Sequence, residues 1–253
     1  MMKKFMLLVL AFSLVFSLCA CGAQPKEEAA EVSVLEVKAT PKPEKITLQG
    51  YNAEQIGDFF CEVVLAAEYS YGSGNQHALQ KWKEPIYYAI YGEAGAEDLL
   101  LVADFAAQLN QIEGFPGMYA AENSEQENFK INLLNTKSMM TAVGHIVENE
   151  DAHGIALWDY YTEKNELYNV NIWVSTDIDQ KVRNSVLLEE IVNSLGMGND
   201  TELREDSIIY QNYSEPQELS EMDWVLLKLL YDKRMICGMT ETDCRDVISE
   251  IYE

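Results

Sequence analysis

Residues 187–200 read LLEEIVNSLGMGND and form the end of a predicted helix followed by a turn. When the helix over 179–195 is projected at about 100° per residue, its leucine, isoleucine and valine side chains share one stripe, which is typical of a core-facing helix. The opposite stripe begins apolar and ends in Glu189 and Asn193. Gly196 can adopt a positive φ and end the helix. The pattern predicts a central, largely buried helix whose last turns are polar on one side.

The spacing in this helix resembles the zincin signature H-E-x-x-H-x-x-G, in which two histidines hold Zn²⁺ and the glutamate polarises the attacking water. Glu190 matches that glutamate and Gly196 the turn glycine. Glu189 and Asn193, however, occupy both histidine positions. Zinc lowers the pKa of bound water from about 15.7 to about 7, and Glu190 alone cannot replace that effect. Glu190 is therefore a candidate catalytic base only if the protein is active through some other arrangement.

The three histidines of the chain do not restore the pattern. His77, His145 and His153 lie outside the helix, and none has a second histidine four residues away. We interpret each as an ordinary surface or loop residue. The sequence therefore predicts no zinc site and no cofactor.

Acidic residues continue beyond the helix, and their role stays open between three interpretations. They are Glu189, Glu190, Asp200, Glu202, Glu205 and Asp206. They could form a solvated acidic edge, or a Ca²⁺ site, since Ca²⁺ prefers oxygen ligands, although no EF-hand spacing occurs. The third interpretation is a cleft in which Glu189, Asn193, Asp200 and Asp206 bind a polar or cationic ligand. Such a cleft could also support metal-free acid/base chemistry.

The N-terminus is predicted to be a lipoprotein signal peptide over 1–20. Lys3 and Lys4 precede an apolar run that is too short to span a bilayer comfortably. The residues at 18–22, LCACG, resemble a bacterial lipobox, and Cys21 is the position that receives the lipid, palmitate included. We expect the mature protein to be anchored at the extracytoplasmic face of the cell membrane.

Composition excludes nucleic acid as a partner. The chain has 18 Lys+Arg and 42 Asp+Glu, a net charge of −24, whereas a nucleic-acid-binding protein needs a basic face. Residues 21–48 are rich in proline, lysine and glutamate and are predicted to be a flexible tether. Residues 49–253 are long and apolar enough to form one domain. The expected partners are the membrane, through the lipid on Cys21, and an unknown envelope protein or glycan.

Hydrophobic periodicity places helices and strands along this domain. The predicted elements are helices over 53–69, 97–112, 136–147 and 179–195, strands over 85–91 and 129–134, a hairpin from 154–162 and 167–175, and two closing helices. Capping boxes at Ser220-x-x-Asp223 and Thr240-x-x-Asp243 introduce the closing helices. Helices that alternate with strands and a hairpin favour an α+β fold over a doubly wound parallel sheet.

Three thiols remain after processing, namely Cys61, Cys237 and Cys244. Cys237 and Cys244 are close enough in sequence to form a small disulfide loop, and this possibility stays open. Cys61 lies in an apolar helical pattern and is interpreted as a buried small hydrophobic residue.

Two stretches, LLEEIVNSLGMGNDTELREDSIIY at 187–210 and ELSEMDWVLLKLLYDKRMICGMT at 218–240, together resemble DUF2927, a bacterial envelope family of unknown function. The matching positions are Glu189-Glu190, Asn193, Leu195-Gly196, Asn199-Asp200, Asp206-Ser207, Tyr210, Leu229-Leu230-Tyr231-Asp232 and Gly238-Met239-Thr240. Asn193 departs from the glutamine common at its position. The resemblance implies a zincin-like α+β domain with a mixed or antiparallel sheet, a central motif-bearing helix, and a ligand pair that is degenerate throughout the family.

These observations predict a lipid-anchored envelope protein that acts through binding or assembly rather than proteolysis. The alternative is an unconventional metallohydrolase or peptidase, with a metal held by carboxylates and Asn193 and with Glu190 as general base. The third hypothesis, a solute-binding lipoprotein, ranks lowest because the chain lacks two similar lobes.

Overall fold

The structure is a computed structural model that describes residues 45–66, 78–143, 152–212 and 215–253. The predicted signal peptide, the lipid attachment site at Cys21 and nearly all of the predicted tether lie outside the described residues, as do His77 and His145. The described residues all lie in one compact unit, Glu44–Glu253. No helix among them is long and apolar enough to cross a membrane.

Six strands form one sheet in the described part of the chain, accompanied by six helices. The strands are β1 (Lys81–Trp82), β2 (Ile86–Gly92), β3 (Met118–Ala120), β4 (Phe129–Leu134), β5 (Gly154–Tyr161) and β6 (Glu166–Ser175). The helices are α1 (Ala53–Leu65), α2 (Ala96–Leu109), α3 (Thr136–Val143), α4 (Gln180–Ser194), α5 (Glu221–Leu230) and α6 (Glu241–Ile251). Five strands run parallel in the order β1-β6-β4-β2-β3, and β5 pairs antiparallel with β6.

The predicted fold class, an α+β zincin-like domain with a mixed or antiparallel sheet, is wrong. Five of the six strands are parallel, so the fold is α/β. The short connection of the β5–β6 hairpin makes its antiparallel pairing visible in the sequence. The parallel partners are distant in sequence, since Ile90 lies opposite Ile131 and Ile131 opposite Ile172. Such pairs need long crossover connections, and no local pattern specifies them.

Most of the individual elements agree with the sequence prediction. The helix expected over 179–195 is α4, and the expected hairpin is β5 and β6. Both capping boxes are confirmed, because the side chains of Ser220 and Thr240 accept hydrogen bonds from the backbone N–H groups of Asp223 and Asp243. The two shortest strands, β1 and β3, were missed, since elements of two or three residues have no detectable periodicity.

The core surrounds α4 and the centre of the sheet. Ile131 on β4, Ile172 on β6 and Ile191 on α4 are all fully buried. Helix α4 packs against β5 and β6, while α1 packs against α6. The central, buried helix predicted from the sequence is therefore confirmed, and its polar end lies next to the hairpin.

Candidate functional site

The C-terminal end of α4 is held by side chains from β1 and from the end of α5. The indole N–H of Trp82 donates a 2.9 Å hydrogen bond to the carbonyl of Ser194. The hydroxyl of Tyr231 donates another 2.9 Å bond to the carbonyl of Leu195. Carbonyls at a helix end lack intrahelical partners, so these two buried, neutral donors fix where the helix stops.

Gly196 completes this helix end. Its φ is +114°, in the left-handed region, and a Cβ at this position would stand 2.4 Å from the carbonyl oxygen of Gln80. The positive φ expected from the sequence is confirmed, and the close approach of the Gln80 backbone is a second reason for glycine.

The polar residues predicted for this end lie on adjacent positions of α4. Glu190 exposes 8% of its surface and Asn193 9%, and Glu189 is half-buried. Residues three and four positions apart are neighbours on a helix, so Asn193 lies beside both glutamates. The Oδ1 atom of Asn193 is buried and accepts no hydrogen bond from the described residues. Leaving a buried acceptor without a donor costs about 1–3 kcal/mol.

The electrostatics of this helix end are unusual. The C-terminus of an α-helix bears a partial negative charge of about −0.5, and basic residues near it are stabilising. The last turn of α4 has no basic residue, and Glu189 and Glu190 stand next to it. The last turn of α4 therefore supplies no cation of its own to offset the partial negative charge of the helix end.

Strand β5 and the loop after α4 approach this site through two glycines. A Cβ on Gly154 would stand 2.6 Å from Glu190 Oε1, and a Cβ on Gly198 would stand 2.7 Å from the Trp158 ring. Either contact would force neighbouring atoms to move. Sequence reasoning did not assign a role to these glycines, although the Gly196-Met197-Gly198 spacing was a visible signal.

The downstream carboxylates lie in the loop between α4 and α5. Asp200 is half-buried there, and the carboxylate of Asp206 forms a 2.6 Å ion pair with Arg204 while its side chain remains 65% exposed. In the described parts of the chain, no group of three or more His, Cys, Asp or Glu residues is placed to hold a metal ion. The structure thus brings Glu189, Glu190 and Asn193 together, and pairs Asp206 with Arg204.

Arg204 organises this loop and was missed by sequence reasoning. Its guanidinium lies 5.4 Å from the ring centroid of Tyr51 and 5.3 Å from that of Phe59, and it donates a 2.7 Å hydrogen bond to the Tyr51 hydroxyl. The available signal was a lone arginine inside an acidic run, because a buried arginine needs a carboxylate partner and readily stacks on aromatic rings. Part of the acidic run therefore serves to attach the loop to α1.

Asp223 makes a second structural attachment beyond its predicted role as a cap. Its carboxylate accepts hydrogen bonds from the Ser207 hydroxyl at 2.7 Å and from the Ile208 N–H at 3.0 Å. The side chain is almost completely buried. One acidic residue therefore joins the end of the loop to the start of α5.

Lys81 is a buried cation that sequence reasoning also overlooked. Its ammonium donates hydrogen bonds to the carbonyls of Leu230, at 2.8 Å, and Met235, at 2.6 Å. Burial lowers the pKa of this lysine to about 8. Its position at the end of α5 is the favourable arrangement for a cation at a helix C-terminus.

All three described cysteines are free thiols. The disulfide considered between Cys237 and Cys244 is therefore absent. Burial raises the pKa of the Cys244 thiol to about 12 and that of Cys61 to about 11, so both are poor nucleophiles.

Comparison with known proteins identifies one family. Its model, described as a protein of unknown function (DUF2927), matches residues 53–250. The comparison with curated proteins finds no match. The matched residues include α4 and all six strands. Because the match covers most of the chain, the protein belongs to the DUF2927 family.

Proposed function

We propose that this protein is a lipid-anchored component of the cell envelope whose domain binds a ligand at the C-terminal end of α4. The ligand is a cation or a donor of hydrogen bonds, recognised by Asn193 with Glu189 and Glu190. The lipid on Cys21 holds the domain at the extracytoplasmic face of the membrane.

The Oδ1 atom of Asn193, which accepts no hydrogen bond within the described part of the chain, is the observation that most directly supports binding. Buried acceptors without a hydrogen bond are rare in folded proteins, since buried polar groups are almost always hydrogen-bonded. A ligand that donates a hydrogen bond would remove this cost on binding. The two adjacent glutamates and the negative helix end favour a donor that also bears a positive charge.

The lack of histidine in the α4 stretch whose spacing resembles the H-E-x-x-H signature supports binding over zinc-dependent hydrolysis. Glu189 and Asn193 stand at those positions, and Glu190 is the one matching residue of the catalytic set. Without a Lewis acid, a glutamate does not bring water near the reactive state that zinc provides. The residue types of this site therefore fit recognition better than zinc-dependent hydrolysis.

Calorimetric titration of the mature chain with 1,4-diaminobutane tests the proposed site. We expect the dication to bind and succinate not to bind. Replacing Asn193 by leucine should weaken the diamine by about tenfold or more, which corresponds to about 1.4 kcal/mol. Asn184→Leu, on the same helix but near its start, is the matched control and should bind as the unmodified protein does. Diamine binding that is unchanged in Asn193→Leu would contradict the proposal.

Metal analysis separates binding from the hydrolase alternative. Protein purified without chelator should contain substoichiometric zinc, and the Glu189→Ala, Asn193→Ala double variant should contain the same amount. Stoichiometric zinc that is lost in the double variant, or a peptidase activity abolished by Glu190→Gln, would favour the hydrolase.

The anchor is tested by fractionating cells that express the Cys21→Ser variant. We expect the variant to leave the membrane fraction and to lose incorporation of labelled palmitate. Unchanged membrane retention would refute the lipobox assignment and would leave the α4 site to be judged on the titration alone.

A further inference from the structure

The free end of the β5–β6 hairpin presents a concentration of exposed aromatic side chains. Tyr160 is 37% exposed, Tyr161 52% and Tyr168 41%. Among the described residues, large hydrophobic side chains this exposed are a minority, and three of them lie in this one hairpin. Tyrosine is among the residues most enriched at protein interfaces.

A β-bulge aligns two of these tyrosines. Asp159 pairs with Asn169, but the next residue, Tyr160, pairs with Leu167, so Tyr168 is the extra residue of β6. A bulge redirects the side chain at the position where it occurs. The rings of Tyr168 and Tyr161 consequently stack, with centroids 4.4 Å apart and planes at 28°.

A cation already lies over one ring of this pair. The ammonium of Lys164, in the turn of the hairpin, stands 5.7 Å from the centroid of Tyr161. It also lies 3.9 Å from the carboxylate of Glu166, and its own side chain is 66% exposed. An exposed lysine loses little by leaving such a contact, because exposed ion pairs contribute about 0–1 kcal/mol. The contact therefore marks the tyrosine face as a place where a positive group is attracted and can be exchanged.

The surrounding charge is negative. Between 159 and 169 the chain has three acidic residues, Asp159, Glu163 and Glu166, against the single base Lys164, a net charge of −2. Asn169 donates a 2.9 Å hydrogen bond to Asp159, which holds that carboxylate at the edge of the hairpin. Aromatic faces flanked by carboxylates favour guanidinium groups, which stack on rings and bind carboxylates with two parallel hydrogen bonds.

We propose that this surface, formed by Tyr161 and Tyr168 with Asp159 and Glu166, docks an arginine-containing segment of a partner protein. The arginine side chain stacks on the tyrosine pair, takes the place of Lys164 and bonds to the carboxylates. Charge complementarity selects this partner, since nucleic acids and anionic membranes are repelled by a chain of net charge −24. The inference concerns a different surface from the α4 site and does not depend on it.

Titration of the mature chain with the peptide acetyl-(Arg-Gly)₄-amide tests this surface. We expect binding, with the lysine peptide of equal charge weaker and the glutamate peptide inactive. Tyr161→Ala should weaken the arginine peptide by about threefold to fivefold, as expected for an exposed cation–π contact. Tyr119→Ala, an equally exposed tyrosine on β3, should have no effect. Lys164→Ala should bind the arginine peptide more tightly than the unmodified chain, because the competing cation is gone.

Three outcomes would overturn the proposal. The first is an arginine peptide that does not bind at millimolar concentration. The second is an arginine peptide that binds the Tyr161→Ala and Tyr119→Ala variants equally well. That result would indicate non-specific attraction of the peptide to an acidic protein. The third is a Tyr161→Ala variant that binds a neutral oligosaccharide such as chitotetraose more weakly but binds the arginine peptide as the unmodified chain does. That result would identify a glycan site. Circular dichroism of each variant verifies that the hairpin remains folded.

Discussion

Two neighbouring residues of β1 serve two helix ends in opposite ways. Lys81 places a buried ammonium at the end of α5, bonded to the carbonyls of Leu230 and Met235. Trp82 places a neutral indole N–H at the end of α4, which lacks basic residues in its last turn and has Glu189 and Glu190 beside it. The end of α5 receives a charged donor, whereas the end of α4 receives neutral donors. This difference is the reason for proposing the end of α4, and not the end of α5, as the place where a cationic ligand binds.

The largest effect should follow from altering the backbone at the α4 end. Gly196→Ala places a Cβ 2.4 Å from the Gln80 carbonyl oxygen, at a φ of +114°. A left-handed non-glycine residue alone costs about 1–3 kcal/mol, and the backbone clash adds to it, so we expect a loss of about 3 kcal/mol or more. Urea unfolding measures it. Gly50→Ala, also at positive φ but with nothing within 4 Å of its Cβ, is the matched control and should cost less. Equal losses in the two variants would show that the Gln80 contact is unimportant.

At the end of α5, Lys81→Met should cost about 2–3 kcal/mol in urea unfolding. Methionine preserves much of the side-chain volume but leaves the Leu230 and Met235 carbonyls buried without their charged donor. Lys228→Met, a substitution of the same type in the last turn of α5 at an exposed position, should change stability by less than about 0.5 kcal/mol. If Lys81→Met lowered the free energy of unfolding as little as Lys228→Met does, the charged cap would not distinguish the end of α5 from the end of α4.

The same lysine predicts a pH dependence. Burial lowers the pKa of Lys81 from 10.5 to about 8, so between these values the unfolded chain binds more protons than the folded one. Stability due to this group should therefore rise as pH increases from about 8 towards 10.5. The measurement is the difference in unfolding free energy between the unmodified protein and Lys81→Met, followed from about pH 7.5 upward. This difference separates the contribution of Lys81 from that of other titrating groups. A flat difference across this window would show that the ammonium is not desolvated.

The neutral cap on α4 should be weaker than the charged cap on α5. Tyr231→Phe removes only the hydroxyl that donates to the Leu195 carbonyl, and leaves the ring and its packing against Phe115. The loss should be about 1–2 kcal/mol, the usual consequence of leaving a buried acceptor unmatched. Tyr210→Phe, at another buried tyrosine, serves as a comparison in the same assay. If Tyr231→Phe lowered the free energy of unfolding more than Lys81→Met does, the neutral cap on α4 would contribute more stability than the charged cap on α5, contrary to the prediction.

The sequence predicts an interaction well when the residues that make it are close in the chain, and poorly when they are far apart. The identity of α4, its stop at Gly196 and the polar set of Glu189, Glu190 and Asn193 follow from helical periodicity and local spacing. The parallel sheet, the Lys81 cap and the Arg204 contacts with Tyr51 all join residues far apart in the chain. A single sequence does not show which distant residues are in contact. Lys81, which precedes Trp82, is therefore interpreted from the sequence as a surface charge. The acidic run illustrates the limit, because only the fold shows that Asp206 pairs with Arg204 while Glu190 lies under β5.

The smallest predicted effect has the opposite sign to the others. Asn193→Leu replaces a buried amide, whose Oδ1 accepts no hydrogen bond from the described residues, with an apolar side chain of similar shape. We expect the variant to be more stable by about 1 kcal/mol in urea unfolding, since removing an unsatisfied buried polar group is neutral or favourable. The same variant should lose diamine binding, which is the trade of stability for function expected at a binding site. If Asn193→Leu instead destabilised the protein as much as Tyr231→Phe does, Asn193 would be part of the structural frame that ends α4, and the two helix ends would differ only in the charge of their caps.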